Sequence, residues 1–259
     1  MDPLYIVKVG GNIIDDHQKL NAFLEEFAKI QGKKILVHGG GKLATKLATD
    51  LSIPQQLVEG RRITDAETLK IVTMVYAGLI NKQIVAQLNA LQSTSIGICG
   101  ADAKTILAHK RNHPSIDFGF VGDIDEVNTG LIQSILSQQI NVVMAPITQD
   151  NSGQLLNTNA DTVAQEIAKA MSKLMPTTLV YSFEKKGVMR DVHDESSVIS
   201  TIDKAAFEQL KAENTIFAGM IPKLENAFAA ISSGVSRVII GDAMELGTLI
   251  KGESGTTIH

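Results

Sequence analysis

The sequence has no tryptophan, and its 259 residues include only three tyrosines and eight phenylalanines. A core with so few aromatic side chains must be mainly aliphatic, as in parallel strands buried beneath helices. There is a single cysteine, Cys99, so no internal disulfide can form, and its apolar neighbours predict a buried thiol. This cysteine usage fits a reducing compartment, and we predict a cytoplasmic protein.

Signals for export, membrane insertion and nucleic-acid binding are also lacking. The apolar run at residues 4–7 follows no basic segment and leads to no small-residue cleavage site. We expect no later apolar run to be long enough to span a bilayer. The 24 basic and 28 acidic residues give a formal charge of −4 without blocks of like charge. Neither a membrane nor a nucleic acid is therefore an expected partner.

The sequence contains short apolar runs bounded by glycine, which alternate with segments of helical period. This alternation predicts an α/β fold with a parallel sheet. A long helix is predicted from Thr64, where Glu67 completes a capping-box pattern, to about Leu91. It carries more apolar surface than one sheet face needs, so we expect part of it to meet a second subunit. The alternation of predicted strands and helices begins again after residues 172–176, which are the best candidate for a boundary between two lobes.

Lys8 is unusual because it interrupts the first apolar strand, residues 5–9. Unpaired lysines are seldom fully buried, and the strand ends at once at Gly10 and Gly11. Lys8 is therefore expected near the carboxyl edge of the sheet, where open α/β folds bind ligands. The alternative is an edge-strand lysine whose ammonium group reaches water.

Gly39, Gly40 and Gly41 end the second predicted strand and precede a helix. Their N–H groups could line an anion site at the helix N-terminus. A tight turn with positive φ would explain the glycines equally well. Neither the dinucleotide-binding fingerprint nor the P-loop pattern occurs here. Because glycine turns end two successive strands, a two-sided phosphate cradle is a hypothesis beside the tight turn.

Polar residues at later helix starts and in one hairpin are further candidates for a site. Either Asn159 or Asp161 could cap the helix that opens near them, and beside a phosphate Asp161 would have to face cations. Lys223 begins a later helix against the preference of the helix dipole and suits a phosphate better. Arg62 presents a fork of donors suited to a carboxylate, or is a solvated arginine of the hairpin.

Five short motifs are more informative together than singly, because their order and spacing can be compared with those of known families. They are Lys8 with Gly10-Gly11, His38 to Gly41, Gly60 to Thr64, Asn157 to Asp161, and Gly219 to Lys223. In this order, and over nearly the whole chain, they resemble the acetylglutamate kinase family of the amino-acid-kinase superfamily. The Gly-x-Arg-Ile-Thr and Asn-x-Asn-x-Asp elements favour this family over kinases of carbamate, aspartate, free glutamate, uridylate or acylated aminoadipate.

The resemblance implies a three-layer αβα sandwich with a mainly parallel open sheet and two lobes. Residues 1–173 would form the N-terminal lobe, which binds the N-acylglutamate and builds a homodimer. Residues 174–259 would form the C-terminal lobe, which binds ATP. The implied reaction is phosphorylation of the side-chain carboxylate of N-acetyl-L-glutamate by ATP, the second step of arginine biosynthesis.

By the same resemblance, Lys8, Lys223 and Asp161 form the catalytic set, in which Asp161 orients two lysines that neutralise the transferred phosphoryl group. Backbone donors are expected from four glycines: Gly10, Gly11, Gly40 and Gly41. Substrate-binding side chains are expected to be Arg61, Arg62, Asn157 and Asn159. Besides the two lysines and Gly10-Gly11, the nucleotide is expected to contact Gly219 and Met220.

The implied chemistry needs no catalytic histidine. A glutamate side chain is already ionised at neutral pH and attacks phosphorus without a general base. Positioning and charge neutralisation then account for catalysis. The sequence offers no dedicated carboxylate cage for a metal, so we expect Mg²⁺ to be held largely by the nucleotide phosphates.

Two positions depart from the family pattern. Residues 183–187 read Phe-Glu-Lys-Lys-Gly where the family usually has Ser/Thr-Asp-Val-x-Gly, so nucleotide contacts cannot be transferred there. Arg61 stands where relatives usually carry an apolar residue beside the acyl pocket. A second hypothesis is therefore that Arg61 meets an extra carboxylate and that the substrate is N-succinyl-L-glutamate. A third is a catalytically silent amino-acid sensor, which the intact pair of lysines disfavours.

The assembly is also an expectation from the resemblance. Feedback-inhibited relatives carry an extra N-terminal helix that links dimers into a hexamer. Here the first strand begins by Leu4. We expect a homodimer that arginine does not inhibit.

Overall fold

The computed structural model describes residues 2–58, 61–191, 193–213, 215–216 and 220–259. The strands are β1 (Leu4–Val9), β2 (Lys33–His38), β3 (Gln56–Val58), β4 (Arg61–Ile63), β5 (Ser95–Cys99), β6 (Ile106–Lys110), β7 (Gly122–Val127), β8 (Asn141–Ala145), β9 (Ile147–Gln149), β10 (Leu155–Asn157), β11 (Thr177–Phe183), β12 (Thr201–Ile202), β13 (Arg237–Asp242) and β14 (Thr256–Ile258). The helices are α1 (Gly11–Ile14), α2 (His17–Lys29), α3 (Gly41–Asp50), α4 (Ala66–Val72), α5 (Asn81–Ala90), α6 (Thr129–Ser137), α7 (Ala160–Ser172), α8 (Lys204–Ala212), α9 (Ile221–Ser232) and α10 (Leu246–Lys251).

The central sheet has eight strands in the order β12-β14-β13-β11-β1-β2-β8-β5. From β13 to β5 all neighbours are parallel, whereas β14 pairs with β13 in the antiparallel sense. A four-stranded sheet, β10-β9-β6-β7, and the predicted β3-β4 hairpin lie outside it. Strand β1 lies between β2 and β11, where the strand order reverses, and open α/β sheets bind ligands at such a point.

Helices cover both faces of the central sheet. In β1, Leu4 and Ile6 pack into an apolar cluster with α6, α7, α8 and α9, while Val7 and Val9 pack into a second cluster with α2, α5 and α10. Successive residues of a strand point to opposite faces, so one strand serves both clusters. The predicted three-layer αβα sandwich with a mainly parallel sheet is therefore confirmed.

The two halves of the central sheet correspond to the two halves of the chain. Its strands after residue 174 all lie on one side of β1, and the earlier strands lie on the other. The β1-β11 ladder joins the halves, with Lys8 opposite Tyr181. Division into lobes at residues 1–173 and 174–259 stays a prediction, to which this arrangement gives a physical basis.

The long helix, Ala66–Ala90, differs in detail from its prediction. Asp65 caps it by accepting a hydrogen bond from the Thr68 backbone N–H at 2.7 Å, so the capping box predicted at Thr64 is wrong. Its middle segment, Thr73–Ile80, is π-helical. Such segments are rare and frequently occur at functional sites.

By length and composition alone, the long helix could also cross a bilayer, contrary to the expectation that no apolar run was long enough. Core helices of soluble proteins can be equally long and apolar, and 44% of the most apolar 18-residue segment of this helix is buried inside the fold. Met74 and Leu79 are about half exposed on it.

Cys99 is less buried than expected. It ends β5, at one edge of the central sheet, and is partly exposed. Burial still raises the pKa of its thiol, so the group is a protonated thiol at neutral pH.

Lys34 is a buried lysine that closes the C-terminal end of α2. Its ammonium group donates to the carbonyl oxygens of Phe27, Ala28 and Ile30 at 2.9, 2.8 and 3.0 Å, at a helix end where carbonyls lack partners. We expect Lys34→Met to lower the free energy of unfolding by about 2–4 kcal/mol in urea denaturation. Lys33→Met, one position earlier on β2, is the matched control and should cost under about 1 kcal/mol. Equal losses would contradict this role of Lys34.

Candidate active site

Three charged side chains meet where β1 ends, and we call them the charge cluster. The Asp161 carboxylate, in the first turn of α7, lies 2.7 Å from Lys8 Nζ and 3.2 Å from Lys223 Nζ. Lys223 donates a hydrogen bond to Asp161 Oδ2, whereas the Lys8 contact is an ion pair to Oδ1 that lacks the geometry of a directed hydrogen bond. Strand β1 and helices α7 and α9 thus each contribute one member.

The pleat of β1 explains why Lys8 reaches Asp161. Lys8 shares a face of the strand with Leu4 and Ile6, and that face is covered by α7. Since β1 is flanked by β2 and β11, the alternative of an edge-strand lysine is wrong. The side chain of Lys8 is 15% exposed, so its charge is largely removed from water and depends on Asp161.

The charge cluster keeps a surplus of positive charge. Burial by itself would raise the pKa of Asp161, but the two lysines outweigh burial and hold this pKa at about 2. The Lys223 ammonium group also lies 5.7 Å from the Tyr181 ring and 5.8 Å from the Phe183 ring. One carboxylate therefore faces two ammonium groups, and the remaining charge can attract an anion.

A cavity of about 660 Å³ is lined by residues that neighbour the charge cluster along the chain, although Lys8, Asp161 and Lys223 do not line it themselves. Gly11, three positions after Lys8, and Ala160, next to Asp161, both line it. The cavity also brings together predicted residues from distant parts of the chain: Gly40, Gly41, Arg61, Arg62, Asn157 and Asn159. Its size suits a small organic ligand.

The glycines play unequal parts at this site. The backbone N–H of Gly10 donates to Ser182 O at 2.9 Å, so Gly10 is not free to bind a phosphate. In the described part of the chain, the N–H groups of Gly11, Gly40 and Gly41 donate to no main-chain carbonyl. Gly40 has φ +146°, and a Cβ there would overlap Ile80. The proposed backbone donors are accordingly Gly11, Gly40 and Gly41.

Arg62 is fixed in the wall of the cavity. Its Nη2 donates to Gly41 O at 2.9 Å and to Thr45 Oγ1 at 2.8 Å, and its Nη1 contacts Gln55 Oε1. The alternative of a solvated arginine is therefore wrong. These contacts use both hydrogens of Nη2 and one hydrogen of Nη1, which leaves single donors on Nη1 and Nε for a ligand. The binding role of Arg62 stays a prediction.

The two asparagines differ in their hydrogen bonds. Asn157 Nδ2 donates to Thr64 Oγ1 at 3.0 Å, which turns this donor towards the protein. Asn159 caps α7 by accepting from the backbone N–H groups of Asp161 and Thr162 at 2.8 and 3.1 Å. The helix cap is thus Asn159, which leaves the Asp161 carboxylate for the lysines.

Two arginines stand at the cavity besides Arg62. Arg61 is exposed, and among the described residues no carboxylate forms an ion pair with it. Arg111, which sequence reasoning missed, lines the same cavity and lies 2.6 Å from Asp123. Arg111 follows β6 in an irregular segment, so no pattern in the sequence pointed to it.

The predicted nucleotide side is described only in part. Met220 is the residue before α9, three positions from Lys223, whereas Gly219 lies outside the described residues. In the divergent segment 183–187, Phe183 ends β11 beneath Lys223, and Lys186 pairs with Glu195 at 2.9 Å.

An open αβα sandwich with cations and glycine-rich turns at the carboxyl ends of its parallel strands is the architecture of a class of small-molecule kinases. The model of the Amino acid kinase family matches residues 3–242. The chain belongs to this family.

Its curated relatives narrow the resemblance further. An acetylglutamate kinase from Cytophaga hutchinsonii is 55% identical over 96% of this chain and 95% of its own length. One from Phocaeicola vulgatus is 52% identical over 99% of this chain and 98% of its own. The resemblance predicted from the five motifs is confirmed.

Solved structures show the same fold at lower identity. N-acetylglutamate synthase from Neisseria gonorrhoeae superposes with a TM-score of 0.82 at 19% identity, covering 99% of this chain and 59% of that one. Carbamate kinase from Giardia lamblia gives a TM-score of 0.71 at 13% identity, covering 99% and 98%. These likenesses concern the fold alone.

Proposed function

We propose that this chain transfers the γ-phosphoryl group of ATP to the side-chain carboxylate of N-acetyl-L-glutamate, the second step of arginine biosynthesis. The observation that carries the proposal is the charge cluster, together with a cavity that Gly11, Gly40, Gly41 and Arg62 line next to it along the chain. Relatives that share about half of their residues with this chain bear the name of this activity.

In the proposed reaction, a side-chain carboxylate oxygen attacks the γ-phosphorus of ATP. The new P–O bond forms as the bond to the β–γ bridging oxygen breaks, and ADP leaves with that electron pair. The carboxylate is ionised at neutral pH, so no base is required. The main barrier is the approach of two anions, which cations and N–H groups lower.

The charge cluster supplies two cations at a fixed separation. Each oxygen of Asp161 holds one lysine, so Asp161 spaces Lys8 and Lys223 without touching the reacting atoms. Gly11 and Gly40 add neutral donors, and Arg62 with Asn157 is proposed to bind the α-carboxylate and acylamido group at the other side of the cavity.

We propose that Mg²⁺ accompanies the nucleotide. The Asp161 carboxylate is occupied by two lysines and is a poor metal ligand in this arrangement. Mg²⁺ usually binds through phosphates and water with one or two carboxylates. When bound, it would neutralise charge on the nucleotide phosphates. Lys8, Lys223 and the glycine N–H groups would neutralise and position the transferred phosphoryl group.

The test is an assay of two products. ADP release is coupled to NADH oxidation, and the acyl phosphate is trapped with hydroxylamine as a hydroxamate. N-acetyl-L-glutamate should yield equal amounts of both, whereas N-acetyl-L-glutamine, which lacks the attacking carboxylate, should yield neither. Binding of N-acetyl-L-glutamate without turnover would contradict the proposal and favour a silent sensor.

N-succinyl-L-glutamate is a second candidate substrate, and Arg61 is the observation that favours it. This exposed arginine lines the cavity without an ion-pair partner among the described residues, with Arg111 on the same cavity wall. A succinyl group would bring a third carboxylate to that cation.

Arg61→Leu tests this candidate. We expect it to lower kcat/KM for N-succinyl-L-glutamate about 10- to 100-fold, the worth of a charge-assisted hydrogen bond, and to change kcat/KM for the acetyl compound by under about threefold. Arg190→Leu, at an exposed arginine elsewhere, is the control. A clear preference for the acetyl compound that Arg61→Leu leaves unchanged would contradict the succinyl hypothesis.

We also propose that the chain forms a cytoplasmic homodimer. Met74 and Leu79 are about half exposed on the long helix, and Ile96 is exposed on the edge strand β5. Apolar surface of this kind favours a subunit interface. Light scattering should give twice the chain mass, and arginine should not inhibit turnover.

A further inference from the structure

A buried polar pair lies behind the glycine loop, Gly39–Gly41. His38 and Asn81 are both 0% exposed. His38 Nδ1 is 2.9 Å from Gly39 O, and His38 Nε2 is 3.2 Å from Asn81 Nδ2. Neither side chain lines the cavity, so neither belongs to the site already described.

The hydrogen-bond partners define the protonation of His38. A carbonyl oxygen can only accept, so Nδ1 carries the hydrogen and donates to Gly39 O, and Nε2 accepts from Asn81. Burial lowers the pKa of His38 to about 4, so the ring is neutral at neutral pH. Asn81 also donates to Val143 O at 3.0 Å and accepts from Lys82 Nζ at 3.1 Å.

The surrounding structure makes room for Asn81. Residues five apart lie on roughly one face of a π-helix, so the segment Thr73–Ile80 brings Asn81 to the same side as Tyr76, which packs against Gly40. On β5, a Cβ at Gly97 would overlap the Asn81 side chain. A glycine inside a strand often marks such a close approach.

The contact with His38 also sets the direction of a peptide group. In a planar trans peptide the C=O and the following N–H point in opposite directions. Because Gly39 O is turned to the buried imidazole, the N–H of Gly40 is turned away from it, towards the cavity that both glycines line. That N–H donates to no main-chain carbonyl in the described part of the chain.

We propose that His38, held by its hydrogen bond from Asn81, is a positioning residue that orients the Gly40 N–H towards the phosphoryl group bound in the active site. The inference rests on the proposed function for its kinetic consequence, because an N–H aimed at charge that develops in the transition state accelerates the reaction. Its structural consequence, the orientation of the Gly39–Gly40 peptide, is independent of the reaction.

Two isosteric substitutions separate the ring nitrogens. His38→Asn places an amide nitrogen where Nδ1 lies and can still donate to Gly39 O, whereas His38→Gln places one where Nε2 lies and cannot. We expect His38→Gln to lower kcat about 10- to 100-fold with each KM within about threefold. His38→Asn should keep kcat within about fivefold. A merely structural role would lower thermal stability in both variants and leave kcat per folded molecule alike.

Gly97→Ala tests the contact with Asn81 from outside the pocket. Its added Cβ should displace Asn81 and lower kcat, but by less than His38→Gln does, because His38 Nδ1 can still donate to Gly39 O. Crystal structures supply the readout that needs no turnover: the Gly39 carbonyl should stay inward in His38→Asn and rotate in His38→Gln. An unmoved peptide in His38→Gln, or equal kcat losses in the two His38 variants, would overturn the inference. An inactive wild type would count against the proposed function only, since the crystallographic comparison still decides this inference.

Discussion

Replacing Lys8 by alanine should lower kcat about a thousandfold and leave the KM for ATP and N-acetyl-L-glutamate within about fivefold. Lys8 is one of two cations set around the proposed position of the transferred phosphoryl group, where charge neutralisation is the main source of rate. Its 15% exposed side chain lies 2.7 Å from Asp161, so water cannot readily replace the missing ammonium group. The measurement is steady-state kinetics of the folded variant.

The control for Lys8→Ala is a lysine of the adjacent strand. Lys34→Met also removes a largely buried ammonium group, from β2, but its contacts are the carbonyls at the end of α2. It should lose stability and keep kcat per folded molecule. A Lys8→Ala variant with near-normal kcat would remove Lys8 from the mechanism, whereas a loss of kcat in both variants would point to a general weakening of the sheet.

The parallel part of the fold was readable from the sequence because strands buried on both faces are continuous apolar runs. β1 and β2 lie where such runs were predicted, at residues 5–9 and before Gly39. The strands outside this pattern, such as β12 (Thr201–Ile202) and β14 (Thr256–Ile258), are two or three residues long. So short a strand has no measurable period, and only its pairing with a neighbour defines it.

The candidate site was readable to the same extent and for a related reason. The carboxyl ends of parallel strands meet at one edge, which brings the turns after β1 and β2 together. Asp161 and Lys223 reach the same place from the first turns of α7 and α9. The structure places Lys8, Asp161 and Lys223 in contact although 153 and 62 positions separate successive members. The binding roles of the cavity residues stay predictions.

Features that depend on tertiary contacts could not be predicted from the sequence. Arg111 reaches the cavity from an irregular segment and is neutralised by Asp123 from β7. The partnership of His38 and Asn81 crosses two elements and leaves no local pattern. Gly10 looked equivalent to Gly11, but its N–H is taken by Ser182 O from the neighbouring strand. Each depends on a tertiary contact that spacing along the chain does not encode.

Asp161→Asn should lower kcat about a hundredfold and also destabilise the fold. The substitution keeps the shape of the side chain but removes the negative charge that binds both Lys8 and Lys223, so the repulsion between two partly buried cations is no longer offset. The folded-state pKa of Asp161 is about 2 against an ordinary 3.8, which corresponds to about 2 kcal/mol of stability at neutral pH.

The pH dependence distinguishes this charge effect from a packing effect. Because the folded-state pKa of Asp161 is depressed, its contribution is fully present above about pH 4 or 5 and is lost as the pH falls towards 2. The gap in unfolding free energy between wild type and Asp161→Asn should therefore shrink when urea denaturation is repeated from pH 7 down to pH 3. Asp50→Asn, at an exposed carboxylate, should show no such trend. A difference in unfolding free energy that stays constant with pH would mean that Asp161 acts by packing. Some other group would then have to hold the two lysines in place.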